Sequence, residues 1–395
     1  MGILPTSDRF PLLVVLNPHS GLKQGLHILD TIVKPALSQV NQPFRLIEST
    51  AQGHAQSYFF DNIKPILIDL VQSLSSLASA ADGSSNDPSS TTLQRPTSAT
   101  LQVMVLGGDG TVHEIVNGIL RGLEGSEFVS DQFRPKVEFA VIPTGTGNAL
   151  STSLGIKSAQ DAVDRFLKGQ SVPLRLMAVS TLDQEKKKTE EDWKVHVYTL
   201  VVNSFGLHCA TVYDAEEFRE LGNERFRKAA MKNVENLKQY PATITLKGPV
   251  QTYDRSSKSL LASSLSSSSS SKEATVTLPG PFTYFLITKQ ASLEPGFSPT
   301  PFASTSDEWM DVLAVQNVGQ AEIMTMFGAT GTGQHVDQET VQYFKTKILE
   351  LETPEQEQGR LCIDGEFLTI QGGPEGRVRF EFVQDPNIQI FGVYV

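Results

Sequence analysis

The sequence predicts a two-domain protein: an α/β domain with a parallel sheet and flanking helices, then a mainly antiparallel β-sandwich domain. Apolar strand-like runs alternate with helical patterns up to about residue 172. Beyond that point most segments are short, strand-like and separated by turn residues. A chain of 395 residues also exceeds what one hydrophobic core usually fills. We therefore expect domains at 1–172 and 173–395.

The first domain is predicted from repeated strand–helix units. The strand-like runs are 11–18, 44–50, 101–108 and 137–143. Helical patterns follow them at 22–37, 54–77, 112–123, 147–154 and 158–168. This alternation predicts a parallel sheet with helices on both faces. In such sheets ligands bind beyond the carboxyl ends of the strands, so the loops that follow the strands are the places to look for chemistry.

The second domain is predicted from many short strands, which are typical of an antiparallel sandwich. Two helical segments, at about 214–238 and 320–328, interrupt them. The final run, IQIFGVYV, is strand-like, but its pattern leaves open which domain it joins.

Two serine-rich tracts, 75–100 and 254–273, are too polar to bury much surface. We interpret both as flexible surface insertions, with phosphorylation of their serines as the alternative.

Composition excludes several classes of protein. A net charge of −11 argues against a general nucleic-acid binder, which needs a basic surface. Two cysteines, Cys209 and Cys362, are too few for a disulfide scaffold or a cysteine metal cluster.

No apolar run reaches the roughly 20 residues that cross a bilayer, and the start lacks the features of a secretory signal. Gly2 and Thr6 fit the permissive myristoylation pattern. We expect a cytoplasmic protein.

The stretch VLGGDGTVHEIVNG (105–118) joins a predicted strand to a predicted helix through a glycine loop that contains an acid. Glycines let the backbone approach a ligand closely, and the first N–H groups of a helix favour phosphate. A plain turn is the alternative. In a phosphate loop the charge of Asp109 indicates a proton acceptor or an Mg²⁺ ligand. Thr111, Glu114 and Asn117 are weaker candidates, with helix capping or packing as the alternative.

Two further polar loops, IPTGTGNAL (142–150) and LNPHSG (16–21), also follow predicted strands. Neither glycine loop contains the G-K-[ST] of a Walker A motif, and Leu150 replaces the third glycine of the dinucleotide fingerprint. Each loop alone is consistent with a turn, but loops at one sheet edge together favour a nucleotide site. The candidate residues in these two loops are Asn17, Ser20, Gly21, Thr144, Gly145, Thr146, Gly147 and Asn148.

In order and spacing, these motifs resemble the diacylglycerol-kinase catalytic-domain superfamily of lipid kinases. The motifs are LNPHSG, Thr50 followed by His54-Ala55, GGDGTVHEIVNG and PTGTGNAL. In the second domain, NSFGLHCATVYDAEEFRELGNERF (203–226) resembles the lipid-site segment of sphingosine and ceramide kinases. IDGEFL (363–368) resembles the late D-G-E motif of the family. The resemblance covers nearly the whole chain except the serine-rich tracts and the last strand.

The resemblance implies that ATP binds in a cleft between the two domains, with Mg²⁺. It makes Asp109 the general base that deprotonates the lipid hydroxyl, and it implies that Asn17, Ser20 and Thr50 help to hold the nucleotide. The backbone that would cradle ATP belongs to Gly107, Gly108, Gly110, Gly145 and Gly147.

Three residues of the second domain match family residues near the nucleotide. Arg219 and Arg225 match two arginines that reach the ATP phosphates, where guanidinium groups can stabilise transferring phosphoryl charge. Glu366 matches the acid of the D-G-E motif, and Asp364 is equally consistent with a turn residue. For each arginine taken alone, a solvated helix surface is the alternative.

One position departs from the sphingosine kinase pattern. Where those kinases carry the aspartate that recognises the lipid amine and hydroxyl, this chain has Val212. Asp214 and Glu216 match acids in the same segment, and a shift of one turn would let Asp214 substitute. An aliphatic residue at this position is closer to ceramide kinases, whose substrate lacks a free amine.

We therefore predict an ATP- and Mg²⁺-dependent lipid kinase that phosphorylates the primary hydroxyl of a sphingoid base. Ceramide or diacylglycerol is the alternative acceptor. A soluble kinase of the NAD-kinase type, a non-catalytic nucleotide- or lipid-binding protein and a membrane-surface adaptor stay open as other hypotheses. The expected partners are the lipid substrate and, transiently and peripherally, a membrane surface. The oligomeric state does not follow from the sequence.

Overall fold

Two sheets organise the chain in the computed structural model. The structure describes residues 12–81, 98–126, 134–182, 193–222, 224–262 and 275–395. The chain divides into two compact units. The first runs to Gly145 and also includes 156–174 and 384–395, and the second comprises 146–155 and 175–383.

The first unit contains a six-stranded sheet. Its strands are β1 (Leu12–Leu16), β2 (Phe44–Glu48), β3 (Ser98–Gly107), β4 (Arg134–Pro143), β5 (Ser171–Pro173) and β18 (Phe391–Tyr394). Their order is β2-β1-β3-β4-β18-β5, and only the β18–β5 pair is antiparallel. Every residue of β1 is buried, as expected for a central parallel strand covered on both faces. The predicted parallel sheet is confirmed. The last strand, whose place the sequence leaves open, lies in this sheet.

Helices of the first unit connect these strands. They are α1 (Gly25–Ile28), a π-helical turn (Leu29–Val33), α2 (Lys34–Gln39), α3 (His54–Ala81), α4 (Asp109–Leu123) and α6 (Ala159–Lys168). Glycines bring α3 and α4 close together. A Cβ on Gly118 would lie 2.4 Å from the Gln56 carbonyl oxygen, and one on Gly122 would lie 2.7 Å from that of Phe60. This packing fixes the start of α3 beside the second half of α4.

The second unit contains a twelve-stranded sheet in which every pair is antiparallel. Its strands are β6 (Met177–Leu182), β7 (Trp193–Thr199), β8 (Val202–Gly206), β9 (Thr243–Asp254), β10 (Ser259–Ala262), β11 (Thr275–Pro279), β12 (Phe282–Thr288), β13 (Met310–Gln316), β14 (Val341–Glu352), β15 (Gly359–Ile363), β16 (Glu366–Ile370) and β17 (Val378–Phe382).

The long strand β14 shapes this sheet. The first half of β14 pairs with β13 and its second half pairs with β17. Strand β9 pairs with the other edge of β14. Strand β9 also pairs with β10 and β11. One apolar core contains side chains from strands that are far apart in the strand order of this sheet, among them Met177, Ile244, Phe285, Phe344 and Phe380. The sheet therefore curls around a single core, which confirms the predicted antiparallel β-rich domain.

Short helices accompany this sheet. They are α5 (Ala149–Ser153), α7 (Leu207–Asp214), a 3₁₀ segment (Ala215–Leu221), α8 (Glu224–Glu235), α9 (Gln320–Thr330) and two further 3₁₀ turns (Gln334–Asp337 and Pro374–Gly376). The sequence patterns predict no helix at α7. Thr211, Val212 and Tyr213 favour strands, so tertiary packing overrides local preference here.

Some predictions fall on residues outside the described ranges. Gly2 and Thr6 lie there, as do residues 82–97 and 263–274 of the two serine-rich tracts. The described ends of both tracts belong to regular elements: 75–81 lie in α3 and 98–100 in β3, while Asp254 ends β9, 255–258 form a turn and 259–262 form β10. Among the described residues, no helix combines the length and apolar character needed to span a bilayer.

Candidate active site

The loops that follow β1, β2, β3 and β4 meet at one edge of the first sheet. The registers place Leu16 beside Glu48 and Leu106, and Gly107 beside Pro143. The carboxyl ends of four neighbouring strands therefore align, which is where ligands bind in open α/β sheets.

Hydrogen bonds join three of these loops directly. The Asn17 amide donates to Thr111 Oγ1 at 3.2 Å, and the Asn17 backbone N–H donates to the Leu106 carbonyl at 2.9 Å. The Thr144 backbone N–H donates to the Gly107 carbonyl at 3.3 Å. Asn17, Gly107, Thr111 and Thr144, all candidates from the sequence, are thus brought together.

Two candidate glycines have a steric reason to be glycine. Gly21 has a φ of +52°, and a Cβ there would lie 2.4 Å from the Thr144 carbonyl oxygen. A Cβ on Gly107 would lie 2.6 Å from Thr111 Oγ1. Gly110 differs, because it is exposed and a Cβ there would meet nothing within 4 Å. Packing explains the first two glycines, whereas no contact with the described residues requires a glycine at Gly110.

Asp109 is the first residue of α4 and is partly buried. The preceding residue, Gly108, has an extended backbone conformation and is the N-cap of α4. The partial positive charge of the helix N-terminus stabilises a carboxylate at this position.

In the loop after β4, the Thr144 hydroxyl is buried and has no hydrogen-bond partner among the described residues. Buried polar atoms are normally paired, and this hydroxyl lacks the partner that such an atom usually has.

Glu114 organises the second loop, where Thr50 is exposed. The Glu114 carboxylate accepts hydrogen bonds from the backbone N–H groups of Gly53 at 2.9 Å and Ala55 at 3.2 Å, at the start of α3. The Thr50 N–H donates to His54 Nδ1 at 3.1 Å. Sequence reasoning treats Glu114 as an acid in the first turn of its own helix. The structure shows instead that it caps a neighbouring helix.

The PTGTGN segment continues from the first unit into the second at Thr146. Gly147 is exposed, and the Asn148 carbonyl accepts from the Thr152 N–H at 2.9 Å as α5 begins. Within the second unit, Ser153 Oγ donates to the Ser292 carbonyl at 2.8 Å. This contact anchors α5 in that unit.

Glu216 binds both candidate arginines. Its carboxylate lies 2.9 Å from Arg219 Nε and 2.9 Å from Arg225 Nη1. The Arg219 side chain is 75% exposed and that of Arg225 is 14% exposed. Arg225 also lies over the Phe226 ring, 4.6 Å from its centroid. Glu216, a substrate-binding candidate from the sequence, thus contacts the arginines in this structure.

The other two head-group candidates lie on α7. Val212 is partly buried. The Asp214 carboxylate accepts a hydrogen bond from the Asn233 amide at 3.0 Å and lies 3.7 Å from Lys232 Nζ. Asp214 is therefore already paired with α8, and a ligand cation would have to compete with these contacts.

Asp364 has a structural role. It has a φ of +48° in the two-residue turn between β15 and β16. Its buried carboxylate accepts hydrogen bonds from the N–H groups of Leu200, Val201 and Val202 at 2.8–3.0 Å. This supports the turn interpretation for Asp364, while Glu366 is exposed at the start of β16.

Metal ligands do not cluster in the part of the chain that the structure describes. No group of three or more His, Cys, Asp or Glu side chains there could hold an ion. Asp109 is a single carboxylate among loops rich in hydroxyl and backbone donors, so it could contribute to binding Mg²⁺ only together with other ligands, such as phosphate oxygens.

Comparisons with known proteins cover most of the chain. The family model described as the diacylglycerol kinase catalytic domain matches residues 11–179. A second, described as the YegS C-terminal NAD kinase beta sandwich-like domain, matches 202–373.

Two relatives are sphingosine kinases. Sphingosine kinase 1 of Rattus norvegicus is 21% identical over 94% of this chain and 88% of its own. Sphingosine kinase 2 of Arabidopsis thaliana is 23% identical over 90% of this chain and 69% of its own. A solved structure of a putative diacylglycerol kinase from Bacillus anthracis str. Sterne is similar in fold, with a TM-score of 0.57 and 19% identity over 97% of this chain and 94% of that one.

Proposed function

We propose that this chain, which belongs to the lipid kinases with a diacylglycerol kinase catalytic domain, phosphorylates a sphingoid base. The phosphoryl donor is ATP, as the kinase family implies. The γ-phosphoryl group passes to the primary hydroxyl of the lipid. The relatives named sphingosine kinase, which span most of this chain, support a sphingoid acceptor.

One observation carries the proposed chemistry: an aspartate begins α4 at the sheet edge where four polar loops meet. In our proposal the Asp109 carboxylate accepts the proton of the lipid hydroxyl. The hydroxyl oxygen then bonds to the γ-phosphorus as the bond to the β–γ bridging oxygen breaks, and ADP leaves. Such reactions depend mostly on positioning and charge stabilisation. Mg²⁺, when bound, would neutralise phosphate charge, and ligation of this ion is the alternative role for Asp109.

The nucleotide is proposed to bind the four loops. Backbone N–H groups around the loop glycines and at the start of α4 suit phosphate. The unpaired Thr144 hydroxyl and the open space beside Gly110 support this assignment. The proposed nucleotide contacts are Asn17, Ser20, Gly21, Thr50, Gly107, Gly108, Gly110, Thr111, Thr144, Gly145, Thr146, Gly147 and Asn148. By resemblance alone, Arg219, Arg225 and Glu366 are added to this set.

A second acceptor class is favoured by one residue. Val212 offers no carboxylate to a lipid amine, which fits ceramide or diacylglycerol, neither of which has a free amine. We retain the sphingoid base because relatives that span most of this chain are named sphingosine kinases. Since any of these acceptors resides in membranes, we also propose transient contact with a membrane surface.

The decisive variant is Asp109→Asn, which keeps the size of the side chain and removes the base. We expect normal folding and ATP binding but a loss of lipid phosphorylation of about 100- to 10,000-fold. Asp30→Asn is the matched control, because Asp30 is exposed and pairs with Lys34 on the helical surface. Turnover of Asp109→Asn at the wild-type rate would refute the general-base role.

The acceptor is tested with the wild-type protein, labelled ATP and a panel of sphingosine, ceramide and diacylglycerol. We expect sphingosine to be labelled most strongly. Labelling of only ceramide or diacylglycerol would overturn the sphingoid assignment and leave the lipid kinase activity intact.

A further inference from the structure

Two large aromatic side chains lie side by side on the surface of the second unit. Tyr213, near the end of α7, is 45% exposed, and Phe367 on β16 is 37% exposed. Their rings meet edge-to-face, with centroids 5.1 Å apart. Exposed apolar side chains that are scattered singly are normal on proteins, whereas contiguous ones are a mark of protein and membrane interaction sites. This pair is therefore a candidate interaction surface.

A guanidinium group lies against the same pair. The Cζ atom of Arg360 on β15 is 3.8 Å from the centroid of the Tyr213 ring. Arg360 is exposed, and it forms no hydrogen bond or ion pair with the residues that the structure describes. By contrast, Arg219, Arg225 and Arg227 each pair with a glutamate. The Arg360 charge is thus held on an aromatic ring, with N–H donors that no described acid engages.

The register of the β15–β16 hairpin explains why Arg360 and Phe367 share one face. Cys362 lies opposite Phe367, and Arg360 lies opposite Thr369. Residues two apart along a strand project to the same side, so these two pairs are neighbours on one face of the hairpin. Leu361, between Arg360 and Cys362, projects to the other side and belongs to the apolar core. The core of the unit therefore does not require an aromatic ring at Phe367.

An exposed aromatic pair beside an unpaired arginine is suited to a membrane surface that contains anionic lipids. Tyrosine is enriched at the level of the lipid head groups, and phenylalanine buries its ring at the boundary with the acyl chains. Arginine can donate two parallel hydrogen bonds to the oxygens of a phosphate group. Because the whole chain has a net charge of −11, attraction to such a membrane requires a local cation without an acid partner. Arg360 meets this requirement.

The position of this cluster relates it to the lipid acceptor. Tyr213 directly follows Val212, the position at which the chain departs from the sphingosine kinase pattern. Phe367 directly follows Glu366 of the D-G-E motif. A kinase whose acceptor resides in a bilayer has to reach it from the membrane surface. A docking surface beside these positions would bring the second unit to the level of the lipid head groups.

We propose that Tyr213, Arg360 and Phe367 form the surface by which this chain docks on membranes that contain anionic lipids. The two rings enter the head-group layer, and Arg360 contacts lipid phosphate groups. This inference rests on the proposed function, because a membrane-resident acceptor is what makes such a surface necessary.

Vesicle binding without ATP or acceptor tests this surface separately from the kinase activity. Co-sedimentation of the full chain compares vesicles of phosphatidylcholine alone with mixed vesicles of phosphatidylcholine and phosphatidylserine. We expect the wild type to bind the mixed vesicles more tightly. Arg360→Gln should lower the affinity for the mixed vesicles about 5-fold, which is the effect of one cation near an anionic surface. Phe367→Ala should lower the affinity for both kinds of vesicle by about 5- to 20-fold, because it removes apolar area from the contact. Phe367→Trp should bind at least as tightly as the wild type.

Two matched controls lie elsewhere on the second unit. Leu261→Ala removes an apolar side chain that is 49% exposed on β10. Arg227→Gln removes an exposed arginine that pairs with Glu224 at 2.8 Å. Both should bind vesicles as the wild type does. The urea midpoint of each variant is measured in parallel, and Arg360→Gln, which keeps both rings, decides the outcome if Phe367→Ala is destabilised.

Unchanged vesicle affinity in Arg360→Gln and Phe367→Ala would overturn the proposal, as would equal losses in the two controls. A dimer of the chain that Phe367→Ala dissociates would also overturn it, because the surface would then belong to a second copy.

Turnover separates failure of this surface from failure of the proposed function. For an acceptor presented in mixed vesicles, Arg360→Gln and Phe367→Ala should raise KM and leave kcat unchanged. For a soluble short-chain acceptor, both variants should match the wild type. If vesicle binding depends on the cluster but no lipid is phosphorylated, the proposed function alone fails. If lipids in vesicles are phosphorylated equally well by the variants, the docking surface alone fails.

Discussion

The cap that Glu114 provides to α3 leads to a prediction that connects the fold to the nucleotide loops. Its carboxylate holds the N–H groups of Gly53 and Ala55, and the loop that carries Thr50 leads directly into this turn. Glu114→Ala removes both acceptors and leaves two donors at the start of a long helix without a partner. The second loop should then lose its fixed position relative to α4.

The magnitude follows from the two contacts. A hydrogen bond to a charged group contributes about 1.5–3 kcal/mol, and an anion at a helix N-terminus adds up to about 1 kcal/mol at a surface site. Glu114 is only partly buried, so water can replace part of this interaction. We therefore expect local opening of the α3 start to become easier by about 2–4 kcal/mol. This corresponds to amide exchange that is about 30- to 1,000-fold faster.

Hydrogen exchange measured by mass spectrometry on peptides covering 49–60 reports this opening directly. The same variant should raise the KM for ATP, because Thr50 is a proposed nucleotide contact. Glu124→Ala serves as the control, since Glu124 is an exposed acid just after the end of α4. Exchange in Glu114→Ala that matches both the wild type and this control would refute the capping argument.

Three further predictions concern packing, nucleotide binding and the pH dependence of stability. Gly118→Ala should destabilise the protein by about 1–3 kcal/mol in urea unfolding, because its Cβ would lie 2.4 Å from the Gln56 carbonyl oxygen. Gly110→Ala should fold normally and raise the KM for ATP, and an unchanged KM would count against a nucleotide beside Gly110. Because burial lowers the pKa of His208 to about 4, the unfolded chain binds a proton below about pH 6.5 while the folded one does not. Stability should therefore fall as pH drops from 6.5 towards 4, by at most about 3 kcal/mol, and His208→Leu should flatten this part of the urea-midpoint profile.

The parallel sheet could be predicted because its evidence is local. Apolar runs such as β1 are continuous in sequence, and the polar loops follow each run directly. The helix α7 could not, since its residues favour strands and only packing in the second unit makes them helical. The place of β18 could not be predicted either. An isolated apolar run contains no information about its partner, and β18 pairs with β4 across most of the chain.

The same reasoning explains which parts of the site the sequence reveals. A glycine loop with an acid is a local motif, so Asp109 stands out from the amino-acid sequence alone. Glu114 is an ordinary glutamate in sequence. It acquires its capping role only because α4 lies against the start of α3. The acid missing at Val212 is likewise a local observation, and the neighbouring Asp214 is already paired with α8, so this position alone does not determine the choice of lipid. The proposed site of phosphoryl transfer rests on motifs that can be recognised locally, whereas the cap that Glu114 provides depends on a tertiary contact between two helices.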